Sequence, residues 1–245
     1  MDQFKIDREV DLFTIFGQQI SWTNSAFWMV ISVILIVVFF LLTLQKKLIP
    51  GRMQSLGELC YEFIADMVRD TVGPEAMRFM PFIFTLFFFI LAANLIGMNP
   101  YAFTTTSHLA VTAAMAVFTI LVVIVAGIYK NGLGWFKLFA PAGLPAFMYA
   151  IIVPIEIVSF LARPITLAVR LFANMTAGHI MLKLFAIFAA YLATKGGITA
   201  LGIILPVFAT MAIVALEFLV AALQAFVFAI LTCVYLNDVY HVEHH

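Results

Sequence analysis

The stretch FMPFIFTLFFFILAANLIGMNPYAFTTTSHLAVTAAMAVFTILVVIVAGIY, residues Phe79 to Tyr129, runs for 51 residues without a single Asp, Glu, Lys or Arg. A helix needs about 20 apolar residues to cross a bilayer, so there is room here for two crossings. Asn99-Pro100 and the polar run Thr104-Thr105-Thr106-Ser107-His108 divide the stretch near its middle. In lipid the backbone has no water to bond, which makes the helix the spanning element for segments of this length. The stretch therefore reads as a hairpin of two membrane helices. Arg78 precedes it, and Lys130 and Lys137 follow it. By the positive-inside rule both ends are cytoplasmic and the tip is outside.

The composition agrees. Of 245 residues 64% are hydrophobic and only 11% charged, against about 25% charged in a soluble domain. The 26 Phe are more apolar surface than one core of this size hides, so the fold class is an all-α polytopic membrane protein. Thirteen Lys and Arg balance thirteen Asp and Glu, and without a basic tract there is nothing to hold a nucleic acid's phosphates. Cys60 and Cys233 lie in unrelated segments without metal-ligand spacing, so neither a disulfide framework nor a zinc site is expected, and no cofactor is called for.

Working outward, residues 1–25 hold mixed charges and lack the basic start and small-residue cleavage site of a secretory signal. They are expected to be an external part of the mature protein. Residues 26–44 form a first span, followed by Lys46, Lys47 and Arg52, which makes that end cytoplasmic and the N-terminus external. Residues 52–72 differ in kind. Met53, Leu56, Leu59, Cys60, Phe63, Ile64, Met67 and Val68 recur at helical spacing opposite Glu58, Glu62, Asp66 and Asp70, the pattern of an amphipathic helix lying in the interface. Gly73-Pro74 ends it.

Two further segments, 144–194 and 198–240, are each longer than one straight crossing needs. Either they are strongly tilted helices or they are broken, with Pro154, Pro164 and Pro206 as natural kinks. Unlike the hairpin they carry charge at membrane depth, where an ionisable group costs about 2.5–3.5 kcal/mol on insertion scales and is a functional candidate by default. Glu156, Arg163 and Arg170 recur every seven residues, with Asn174 four further on, so all four share one helix face. Glu217, Gln224 and Asp238 form a second stripe. Folding the chain back at Gly196-Gly197 makes Glu156 level with Asp238, Arg170 with Gln224, and His179 with Glu217. His179 lies about 13 Å along the helix from Arg170 and on its opposite side, which suits two polar routes divided by Arg170 better than a single pocket.

The chemistry of these residues fits proton conduction. Arg170 keeps its charge at any physiological pH. His179, Glu217 and Glu156 can hold and release protons, while Asn174 and Gln224 can orient water or a side chain. The bland alternatives are a Glu156–Arg163 ion pair and snorkelling of Lys183 and Lys195 to the interface. No such explanation serves Arg170, which has no acid within four residues. A self-contained secondary proton or sodium transporter is the competing class, but it would usually show internal repeats, and none is seen. A haem-binding subunit needs deep histidine pairs, and only His179 lies deep.

The run Arg163-Pro164-Ile165-Thr166-Leu167-Ala168-Val169-Arg170-Leu171-Phe172-Ala173-Asn174-Met175 resembles subunit a of F-type ATP synthases, whose signature is a basic residue, Pro, then Arg-Leu-Phe-x-Asn-Met. The resemblance extends to Ala93-Asn94-Leu95-Ile96-Gly97, Pro154-Ile155-Glu156 and the final helix with Gln224. It implies five crossings plus the interfacial helix, the last two being long tilted helices in an antiparallel hairpin. It also implies that Arg170 is the stator arginine facing the proton-carrying carboxylates of a c-subunit ring and separating two aqueous half-channels. Asn174 and Gln224 match that arginine's polar neighbours, and Glu156 matches the acid of one half-channel. The implied partners are the c ring, peripheral-stalk b subunits, the other ATP synthase subunits and membrane lipid. The implied location is a bacterial inner membrane, or alternatively the mitochondrial inner membrane. The subunit resembled does not hydrolyse ATP, and no Gly-x-x-x-x-Gly-Lys-[Ser/Thr] loop occurs here. Some bacterial members carry Glu where His179 stands and His where Glu217 stands. Because the fold-back makes these positions level, His179 and Glu217 are expected within water-bridged reach, serving one half-channel.

Overall fold

The computed structural model of the chain describes residues 8–15, 18–44, 51–99, 104–132, 134–135, 146–195, 202 and 204–240. It opens with a two-stranded antiparallel hairpin, β1 (Arg8–Ile15) and β2 (Gln18–Thr23), which the sequence reading does not predict. Six helices follow: α1 (Asn24–Thr43), α2 (Arg52–Thr71), α3 (Met80–Gly97), α4 (Leu109–Asn131), α5 (Ala146–Lys195) and α6 (Ile204–Tyr240). Five of them, all but α2, are long and apolar enough to cross a membrane. The chain is a multi-pass membrane protein.

Local chemistry sets several helix ends. The Thr23 side chain accepts the Ala26 N–H at 3.3 Å and caps α1, satisfying one of the orphan donors of the first turn. Past the end of α2, Gly73 takes φ +104, a conformation that costs glycine little. A 3₁₀ turn, Pro74–Phe79, then leads into α3. The amphipathic reading of α2 holds. Ile64, Ala65, Met67 and Val68 are buried, while Glu58, Glu62, Asp66 and Asp70 are exposed. The first half of its apolar stripe, Met53, Leu56 and Leu59, is also exposed, as an interfacial helix allows.

Of the two readings of the last hundred residues, the continuous one is correct. Pro154 and Pro164 lie inside an unbroken α5, and Pro206 falls in the first turn of α6, where a missing N–H costs nothing. Fifty residues of helix span about 75 Å and 37 about 56 Å, against a hydrocarbon core of about 30 Å. Both helices must therefore run far from the membrane normal. Lys46, Lys47, Pro100, Lys137, Gly196 and Gly197, on which the orientation and the fold-back partly rest, lie outside the described residues.

The core is shared by α2, α3, α4, α5 and α6. Ile83, Ile90, Val123, Leu167, Leu171, Phe228 and Val239 are fully buried. Lipid tails are as apolar as leucine, so packing rather than hydrophobic drive holds such helices together, and small residues at their contacts allow close approach. Ala116, Ala221, Ala225 and Ala229 are all at zero exposure. The outward faces of α1 and α5 are the reverse, rich in exposed Ile, Leu, Val and Phe.

Candidate functional site

Most of the polar residues that the sequence singles out, Arg170 excepted, meet partners on or beside the α5–α6 pair. Their contacts confirm that the two helices run antiparallel. At one end the Glu217 side chain lies directly on Gly178, the residue before His179. A Cβ at 178 would stand 2.8 Å from Glu217 Cδ and Cγ, so only glycine admits the carboxylate there. One turn along, Asn174 Nδ2 donates to Gln224 Oε1 at 3.1 Å. At the other end Arg163 Nη1 donates to Asp238 Oδ2 at 2.8 Å, with Nη2 3.9 Å from Glu156 Oε1. The register thus slips along the pair. Gln224 meets Asn174 by hydrogen bond, one turn from Arg170, and Asp238 meets Arg163, two turns from Glu156.

The short polar run between α3 and α4 supplies the rest. Thr104, Thr105, Thr106 and Ser107 are all buried, the last three in a 3₁₀ turn, Thr105–Ser107, that packs against α3, α4 and α5. Thr104 Oγ1 bonds the Gly97 carbonyl at 3.1 Å and lies 3.1 Å from His179 Nε2. A hydroxyl has one proton. Given to Gly97, it leaves the oxygen to accept from His179, which puts that imidazole's proton on Nε2. His108, the N-cap of α4, is half-buried, and burial pushes its pKa down. On α3, the wholly buried Asn94 donates to the Ala221 carbonyl at 3.4 Å. Ala221 stands between Glu217 and Gln224 on one face of α6.

A polar column follows the α5–α6 pair: Thr104 meets His179, Glu217 lies on the neighbouring Gly178, Asn94 reaches the Ala221 carbonyl and Asn174 meets Gln224. Several of its atoms meet no hydrogen-bond partner among the described residues. Both carboxylate oxygens of Glu217, Asn94 Oδ1 and Gln224 Nε2 are buried and unsatisfied, and so are Thr106 Oγ1 and Thr176 Oγ1 nearby. Native interiors satisfy all but a few buried polar groups.

Arg170 stands apart from this column. It is exposed, on the helix face it shares with Arg163 and Asn174, with neither hydrogen bond nor ion pair to any described residue. Along the helix it is about 10 Å from Arg163 and about 13 Å from His179. The second polar group, beyond it, is built on Arg163, whose guanidinium lies 4.9 Å over the Tyr235 ring and 5.7 Å over that of Phe160. The suggested Glu156–Arg163 pair exists, but Asp238 is the nearer partner. Among the described residues no group of three His, Cys, Asp or Glu is arranged to hold a metal.

The structure brings Thr104 and Asn94, which the sequence did not single out as site candidates, beside the expected His179 and the Glu217–Gln224 stripe of α6. The available signal was uncharged polarity inside a charge-free stretch. Hydrogen-bonding side chains surrounded by Phe, Leu and Ile seldom stand there without a partner.

The chain matches the family model described as ATP synthase A chain over residues 26–237. It is 57% identical over 244 residues to "ATP synthase subunit a" of Hyphomonas neptunium, covering 99% of this chain and 96% of the relative. It is 51% identical over 243 residues to the protein of the same name from Mesorhizobium japonicum, again covering 99% and 96%. With Maricaulis maris the identity is 50% over 251 residues, covering 99% of this chain and 97% of the relative. On the motif around Arg170, five apolar helices and near-complete coverage of these relatives, the chain belongs to the ATP synthase subunit a family.

Proposed function

We propose that this chain carries protons along two polar routes that end on either side of Arg170, and that Arg170 faces the proton-carrying carboxylates of a c-subunit ring. As a subunit a, the protein is the non-catalytic, proton-conducting stator of an F-type ATP synthase. One route runs from the polar turn at Thr104 through His179, Glu217 and Asn94 to Gln224 and Asn174. The other begins at the end of α6, where Asp238, Arg163 and Glu156 gather. That end also carries Arg78 and Lys130, so the positive-inside rule makes it cytoplasmic and the Thr104 end external. The membrane is a bacterial inner membrane, like those of the bacterial relatives, and b subunits of the peripheral stalk complete the stator.

The observation that carries this reading is the exposure of Arg170. A permanently charged side chain exposed on a membrane helix, without an acid partner among the described residues, costs several kcal/mol unless another subunit provides one. A carboxylate brought beside it by a turning ring would have its proton loss favoured. It would be reloaded only after leaving the arginine behind. Each proton then delivers about 2.3 kcal/mol per 100 mV to rotation.

Replacing Arg170 by Ala in the complete enzyme, reconstituted in vesicles, tests the assignment. Proton-driven ATP synthesis should disappear while the complex still assembles and its soluble sector still hydrolyses ATP. Synthesis at the unaltered rate would overturn the role given to Arg170.

A further inference from the structure

On the side of the protein where Arg78 and Lys130 lie, a groove of about 520 Å³ runs along α4 beside the 3₁₀ turn that leads into α3, lined by Phe79, Phe118, Leu121, Val122, Val125 and Tyr129, with Arg78 at its mouth. We propose that it holds one acyl chain of a monoanionic glycerophospholipid whose phosphate sits on Arg78. The groove shares no residue with the proton routes and depends on none of their assignments.

Three observations point to this occupant. The first is depth. The lining residues of α4 recur at three- and four-residue steps from Phe118 to Tyr129, one stripe about 16 Å long, which is the depth of one leaflet of a core about 30 Å thick. The Phe82–Phe118 ring pair, with centroids 6.1 Å apart, lies at the inner end. A spanning helix of another subunit would need a groove about twice as long. An acyl chain does not.

The second is the cation at the mouth. Arg78 gives Nε, at 2.7 Å, and Nη2 to the Tyr240 hydroxyl, and lies within cation–π distance of Phe79, Tyr129 and Tyr240. Its guanidinium is thereby fixed in place, and Nη1 is left without a hydrogen-bond partner among the described residues. Planar guanidinium donors suit phosphate oxygens. The third is local charge. Lys130, 4.0 Å over the Tyr240 ring, is paired with Glu75 at 2.8 Å, so its charge is met. Arg78 has no acid among the described residues, and one positive charge remains for one phosphodiester.

The test uses the complete enzyme in phosphatidylcholine vesicles containing a trace of phosphatidylglycerol with a photoactivatable acyl chain. On illumination, adducts should form on the 118–129 stretch and be competed by unlabelled phosphatidylglycerol but not by extra phosphatidylcholine. In Arg78→Gln labelling should fall by about five-fold, the effect of about 1 kcal/mol per basic residue at a lipid surface, and in Val125→Trp, which fills the groove while leaving Arg78 and Tyr240 in contact, it should be largely lost. Equal competition by phosphatidylcholine would overturn the proposal, since the groove would then take any chain. So would unchanged labelling in either variant, or cross-linking of this stretch to another protein subunit. If Arg78→Gln fails to assemble, the Val125→Trp variant and the wild-type competition decide.

Discussion

Glu217 is the acid most tightly confined by its neighbours. Its carboxylate is buried without a hydrogen-bond partner and rests on the bare backbone of Gly178. A methyl group at 178 would have to share that space, and overpacking of this kind typically costs about 1–3 kcal/mol. Gly178→Ala should therefore displace the carboxylate and slow ATP-driven proton pumping in assembled enzyme. Adding Glu217→Asp, which shortens the side chain by one methylene, should restore part of the rate. If Gly178→Ala pumps like the wild type, the carboxylate's position is not what the contact suggests. At the same scale, Asn174→Leu would strip Gln224 of its hydrogen bond, leaving its whole amide buried and unmet at about 1–3 kcal/mol. Proton pumping should fall, with Asn174→Ser milder than Asn174→Leu. The titratable residues were legible in the sequence because charge at membrane depth stands out against Phe and Leu. Thr104 was not, because a threonine gives the same local signal whether it faces a loop or bonds an imidazole.

At the scale of the element, α5 and α6 are fastened near one end by Arg163, which reaches Asp238 and Glu156 together. The side chains of Arg163 and Asp238 are 21% and 30% exposed, enough burial for the pair to matter and too little for the full cost of a buried ion pair. Arg163→Gln and Asp238→Asn should each lower the temperature at which the subunit leaves the purified complex, by the equivalent of about 1–3 kcal/mol. In the double variant the losses should not add, because each single change already removes the same interaction. Strict additivity would show that the two residues act separately. Periodicity placed Glu156, Arg163, Arg170 and Asn174 on one face and folded the helices back against each other. It could not supply the slip in register that gives Asp238 to Arg163, since that depends on how two long helices cross and on the reach of an arginine. The prolines were ambiguous for a related reason. A proline marks where a helix is weakened, but packing on both sides decides whether it breaks.

For the whole molecule, the telling asymmetry is between a well-buried α3–α4–α6 core and an α5 that turns most of its surface outward. Ala173 is exposed beside Arg170, whereas Ala225 of α6 is fully buried. The Ala173→Cys variant should cross-link to a neighbouring subunit in the assembled enzyme and block rotation. The Ala225→Cys variant should not. Cross-linking of Ala173→Cys within its own chain alone would mean that this face of α5 folds inward. The spans, the amphipathic helix and the list of ionisable groups within lipid were determined by the sequence itself. Each follows from local rules: an apolar length to cross the core, a period of 3.6, and the cost of a charge away from water. Only the tertiary structure decided which polar atoms are left unsatisfied, that the Thr104 turn packs inward onto His179, and that Arg170 is exposed without an ion pair among the described residues. These are outcomes of long-range packing, between segments 75 residues apart for Thr104 and His179 and 127 apart for Asn94 and Ala221, and no local window of sequence contains the crossing of two helices.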